Sequence, residues 1–165
     1  MHLCFENTIP VSRPVLFAFH EEPQNLARLH QGGCALRLLR HGGNIHVGSR
    51  TWFEITVAGV VPVVLGFEHI LYDPPHRFAE QMVHGPFARF VHIHDFEEAG
   101  CGTLVRDRLD ITLPPHYGGE WAMKTLIAPA LEQTFTGRAA ALERLANTGV
   151  IVPNGGQPLG GQPLG

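Results

Sequence analysis

The stretch from Gly85 to Asp110, GPFARFVHIHDFEEAGCGTLVRDRLD, constrains the fold more than any other part of the chain. It predicts two long strands joined by a glycine-rich turn at Gly100-Cys101-Gly102. Side chains on a strand alternate between faces with period two. One face of the first strand then carries Phe90, His92, His94 and Phe96; the other carries Arg89, Val91, Ile93, Asp95 and Glu97. On the second strand Val105, Asp107, Leu109, Ile111 and Leu113 share a face, opposite Arg106, Arg108, Asp110 and Thr112. The apolar face of the second strand turns inward and takes Asp107 with it. If the Phe90/Phe96 face also turns inward, two histidines join that carboxylate. A buried charge is costly unless it is paired or hydrogen-bonded. The pattern therefore implies a polar core network or a lined cavity.

The rest of the chain reads as one domain of about 148 residues followed by a tail. Its 165 residues can bury a real core. A net charge of −3, with no run of Lys or Arg, implies no strong attraction to nucleic acid or to a membrane surface. No apolar stretch approaches the ~18 residues of a membrane span. The start MHLCFENTIP lacks the basic beginning and apolar core of a signal peptide. Cys4, Cys34 and Cys101 are odd in number and have no CxxC spacing, which argues against a disulfide framework or a structural zinc. A reducing, cytoplasmic setting fits best. Histidine is unusually frequent, and full protonation would add 11 positive charges to the net −3.

Leu3 to Ile9 is expected as the first strand, ended by Pro10. Ser12 can cap a helix that accepts Pro14 in its first turn. A second short helix follows Pro23, with Leu26, Leu29 and Ala27 as its apolar candidates. Six strands come next, about Cys34–His41, Arg50–Ala58, Val61–Leu71, Arg77–His84, Phe87–Glu97 and Thr103–Leu113. Turn residues separate them, including Gly59, DPPH at Asp73–His76, and Gly85-Pro86. From Gly119 to Asn147 the period changes to 3.6, with Ile127, Leu131, Phe135, Ala139 and Leu142 on one stripe. Pro129 should kink this helix or mark a broken start. The tail from 149 to 165 contains a tandem GGQPL and reads as a flexible Gly/Pro-rich segment.

The stretch DPPHRFAEQMVHGPFARFVHIHDFE followed by GTLVRDRLDITLP resembles the bacterial ligand-binding group of the SRPBCC superfamily. That superfamily also holds START domains, pollen-allergen-like proteins and polyketide cyclase/dehydrase-like proteins. The matching positions are Pro74-Pro75, Phe78, Gly85-Pro86-Phe87, His92, His94, Phe96, Gly102-Thr103, Asp107 and Pro114. Phe90 stands where the group has Trp, and Met82 where it has Gln. Arg138 matches an Arg of the last helix, and IPVSRPVLFAFHEEPQNLARL resembles the group's opening. The resemblance covers Leu3 to Leu145. It implies an α+β helix-grip fold: a seven-stranded curved antiparallel sheet around a long C-terminal helix, with two short helices after the first strand. It also implies a cavity between sheet and helix. Phe53, Ile55, Phe78, Phe90, His92, His94, Asp107, Leu109, Leu131 and Phe135 become its lining candidates. The turn His41-Gly42-Gly43-Asn44 lacks a GK[ST] ending, so it is not a phosphate-cradling loop.

The polar candidates carry competing readings. His92 and His94 form an HxH about 7 Å apart along one strand face. With Glu80 or Asp107 they could bind a metal, but hydrogen bonding in a polar wall is the more economical account, and no metal or cofactor is expected. Asp107 could act as a general acid or base; pairing with a histidine is favoured. Glu80 turns inward in one register and outward in the other. Arg138 reads as part of the solvated helix face. Trp52, opposite Phe53, falls on the outer sheet face, where it could mark a homodimer contact.

Together these readings point to a domain that binds a hydrophobic or amphipathic small molecule. An enzyme of the cyclase, dehydratase or isomerase type, using a His/Asp proton shuttle, is the alternative. A protein-interaction domain is a third.

Overall fold

A computed structural model describes residues 1–30, 36–57 and 60–151. The expected start of the second strand at Cys34, the turn at Ala58-Gly59 and the tail beyond Ile151 lie outside the described residues, as does the side chain of Ala27. The strands are β1 (His2–Ile9), β2 (Leu36–His41), β3 (Arg50–Val57), β4 (Val61–Asp73), β5 (Arg77–His84), β6 (Arg89–Ala99) and β7 (Gly102–Thr112). They form one sheet in the order β1-β7-β6-β5-β4-β3-β2, and every neighbouring pair is antiparallel. The helices are α1 (Arg13–Glu21), α2 (Pro23–Leu29), the short α3 (Gly119–Ala122) and the long α4 (Ala128–Asn147). This is the α+β helix-grip fold that the order of elements implies.

Local chemistry explains the boundaries. Ser12 takes the extended backbone of an N-cap, and Pro14 sits in the first turn of α1, although the Ser12 side chain makes no capping bond. The helix buries Leu16, Phe17 and Phe19. Pro129 falls in the first turn of α4. Between α3 and α4 the chain makes a single π-helical stretch, Met123–Ile127. The backbone stays helical from α3 through this stretch into α4, so Pro129 lies within one continuous helix, just past a π turn that has already shifted the hydrogen-bond pattern.

The apolar stripe of α4 lies across the sheet. Phe135 stacks on Phe5 of β1 with ring centroids 4.4 Å apart, and packs with Leu109, Ile111 and Leu113 at β7. A second cluster, under α1, joins Ile9, Phe17, Phe96, Val105 and Leu142. Ile151 is buried in it too, so packed chain continues past residue 148. A third cluster, Phe53, Leu65 and Phe67, occupies the β3–β4 side.

Arg138 departs from its expected solvated position. It is only 9% exposed. It follows Phe135 by three residues and precedes Leu142 by four, and such positions share one helix face. The grip of the sheet on that face therefore carries Arg138 inside. Trp52 is half-buried on the outer sheet face against Gly66, where a Cβ would come within 2.8 Å of its ring. Gly66 thereby allows an indole to lie flat on the sheet.

Candidate functional site

The hairpin β6–β7 sets the site. Its register places His94 opposite Asp107, and His92 opposite Leu109. The β5–β6 register places Glu80 opposite His92 and Phe78 opposite His94. Glu80 thus faces inward, resolving the two possible registers. The β4–β5 pairing slips twice, between Gly66 and Phe67 and between His69 and Leu71, and brings His69 opposite Glu80. Such slips bend a strand and re-aim its side chains.

His92 is held between two carboxylates. Its Nε2 donates to Asp107 Oδ1 at 2.9 Å, and its Nδ1 lies 3.6 Å from Glu80 Oε1. Burial alone would lower the His92 pKa, but the hydrogen bonds and charges of Asp107 and Glu80 outweigh it and raise the pKa. The same pairings overcome burial in the other direction. Glu80 is held at about 2, chiefly by His92 and then by His69 and His94. Asp107 is held well below the usual range by His94 and His92. The core of the site is therefore carboxylate, imidazolium, carboxylate.

His94 and His20 are neutral. His94 is pushed down to about 3, first by burial and then by the charge of His92. Its Nδ1 lies 2.7 Å from Asp107 Oδ1 but is not aligned for a hydrogen bond, so this buried nitrogen has no satisfied partner among the described residues. Its ring stacks on Phe78 at 4.3 Å between centroids. His20 donates from Nδ1 to the Leu16 carbonyl at 2.8 Å and is lowered to about 4, mainly by burial. The Ser49 hydroxyl donates to the His46 carbonyl. His69 Nδ1 must then be the donor toward Ser49, which leaves Nε2 facing Glu80 Oε2 at 3.9 Å.

Two cavities meet at this cluster. The larger, about 310 Å³, lies between β3–β6 and α4, with Ile55, Phe67, Phe87, Phe90, Leu131 and Phe135 among its wall residues. The smaller, about 60 Å³, runs toward α1 and α2 past His20, His69, Phe78 and His94. Leu26, Phe53, Glu80, His92 and Arg138 belong to both walls. An apolar chamber thus ends in a polar wall.

Of the residues expected at the site, Phe53, Ile55, Phe90, Leu131 and Phe135 line the larger cavity, Phe78 and His94 the smaller, and Glu80 and His92 both. Asp107 sits one layer back, behind His92. Leu109 is in neither wall: it packs into the core with Phe135, where α4 crosses β7. His20, His69 and Arg138 were not expected in the wall. His69 could have been found, because Leu65, Phe67 and His69 alternate along β4 as Phe90, His92 and His94 do along β6. Glu80, His92 and His94 also offer ligand atoms within 4.8 Å of one another, a possible metal triad. A cation there would have to displace the proton that His92 holds between its carboxylates.

Neither a protein-family model nor a curated protein matches this sequence. Solved structures do match in shape. TTHA0849 from Thermus thermophilus superposes with a TM-score of 0.68 and 20% identity, over 90% of this chain and 99% of its own. NE0264 from Nitrosomonas europaea gives 0.72 with 9% identity, over 92% and 97% of the two chains. Ara h 8.0201 gives 0.65 with 13% identity, over 90% and 98%. At such identities the likeness establishes the fold alone.

Proposed function

We propose that this chain binds an amphipathic small molecule, with the apolar body in the larger cavity and the polar end at Glu80, His92 and Arg138. The observation that carries this reading is an apolar chamber of about 310 Å³ closed at one end by convergent polar groups. Such a combination is typical of ligand pockets. The volume is about twice that of the ~150 Å³ apolar cavity known to admit benzene. A well-folded core leaves few voids larger than a water molecule, so a chamber of this size stands apart from ordinary core packing.

A neutral apolar dye should bind with enhanced fluorescence. Leu131→Trp, which fills the chamber, should abolish that signal. Phe90→Ala should weaken it while costing less than the ~3–5 kcal/mol of a fully packed ring, because Phe90 already borders open space. Undiminished dye binding by a folded Leu131→Trp variant would remove the reading.

Proton transfer is a second reading, favoured by the Asp107–His92–Glu80 chain. Asp107 lies behind the wall, so it would orient His92 while Glu80 or His92 met the substrate. An enzyme of this kind should exchange the α-hydrogens of a bound ketone with deuterated water. Glu80→Gln should lower that rate by about two to four orders of magnitude. A rate equal to that of buffer alone, with the ketone bound, would exclude this activity toward that ketone.

A further inference from the structure

Arg138 is the group that neither the core nor the histidine network uses. It is buried to within 9% of full exclusion. A guanidinium carries five N–H donors and no acceptor. Among the described residues no hydrogen bond or ion pair engages it; its guanidinium lies over the Phe135 ring, 4.9 Å from the centroid. It lines both cavities. Buried charges are normally paired, and leaving one without an acceptor is costly.

The surroundings narrow what would complete it. The positive charge of Arg138 helps burial to lower His20, His30 and His94, so these three imidazoles are neutral and do not compete as cations for an incoming group. Asp107 feels the same charge but is already engaged by His92. Glu80, the carboxylate in the cavity wall, has its two oxygens 3.6 Å and 3.9 Å from His92 and His69. The missing partner must be an acceptor, and a planar anion fits the guanidinium fork best.

Building on the amphipathic-ligand reading, we propose that the guest is a carboxylic acid, its carboxylate held by Arg138 and its apolar body filling the larger cavity. The guanidinium sets the ligand class; the aromatic and aliphatic wall supplies most of the affinity.

Decanoate and decanol test this, because they share an apolar chain and differ in the head. Titrations by calorimetry should show decanoate binding about ten- to a hundredfold tighter than decanol, the range expected for hydrogen bonds to charged groups. In Arg138→Met that preference should vanish. The variant should also melt no lower than the parent, because no hydrogen-bonded partner of Arg138 among the described residues is lost. Equal binding of the two probes by the parent protein, or a preference that survives in Arg138→Met, would overturn the carboxylate assignment while leaving the cavity reading in place. If neither probe binds, the cavity reading falls and this inference falls with it.

Discussion

The unfolding free energy should fall by about 1–3 kcal/mol for each pH unit lost below about pH 6. The cause is histidine kept neutral inside. His94 is 4% exposed and its pKa is depressed from 6.5 to about 3, first by burial and then by the charge of His92. His20, half-buried, is depressed to about 4, again mainly by burial. Below 6.5 the unfolded chain takes up these protons and the folded chain does not. Stability that is present above that value is therefore lost as pH falls toward the folded values. One such group gives a slope of about 1.4 kcal/mol per pH unit and two give about twice that. Glu80, lowered from 4.5 to about 2, and Asp107, well below 3.8, add a second loss as pH falls below about 4.5.

His92 acts in the opposite sense. Its pKa is raised, so its contribution is complete below 6.5 and is lost as pH rises through the folded value. The stability maximum should therefore lie near neutrality. Against a total of about 5–15 kcal/mol, the acid limb removes roughly 4 kcal/mol by about pH 5, a large share of the stability. Urea unfolding between about pH 7 and about pH 5 measures the slope. His94→Phe, which preserves a ring on Phe78, should remove about half of it. A flat profile, or a slope unaffected by replacing His94 and His20, would refute this account.

Much of this architecture was legible in the chain. Period-two alternation placed Phe90, His92, His94 and Phe96 on one face, and the same rule placed Asp107 beside them. The change to period 3.6 after Pro114 located the helix that the sheet grips. The readings that stayed open or went astray depend on pairing, not on pattern. Glu80 could face either way until the slips in the β4–β5 register set its side. Arg138 has polar and apolar neighbours at helical spacing, so only the width of the gripped face decided its burial. His20 and His69 come from distant parts of the chain and meet the hairpin only through topology. No local spacing announces a contact of that kind.

Asp107→Ala should destabilise the fold by about 3–5 kcal/mol, the cost of breaking a buried charge pair from one side. Asp107 is 7% exposed and its Oδ1 accepts from His92. Without it, the proton on His92 is supported only by Glu80, 3.6 Å away. His92 must then either keep a poorly compensated buried charge or release the proton and leave Glu80 short of its main partner. Either course also removes packing where Asp107 lies opposite Phe5 of β1. Asp107→Asn should cost less, since an amide oxygen can still accept from His92. The diagnostic comparison is the double variant Asp107→Leu with His92→Phe. Replacing both members of a buried pair by apolar groups of similar size is often neutral, whereas removing one is not. His92→Phe also takes from Glu80 its main partner, so the gain is complete only with Glu80→Gln added: that triple variant should be more stable than Asp107→Ala, and Asp107→Leu and His92→Phe should show a coupling of roughly 1–3 kcal/mol in a double-mutant cycle. Strictly additive single effects would mean that the two side chains act independently, and would break the chain on which both the neutral-pH stability maximum and the proton-transfer reading depend.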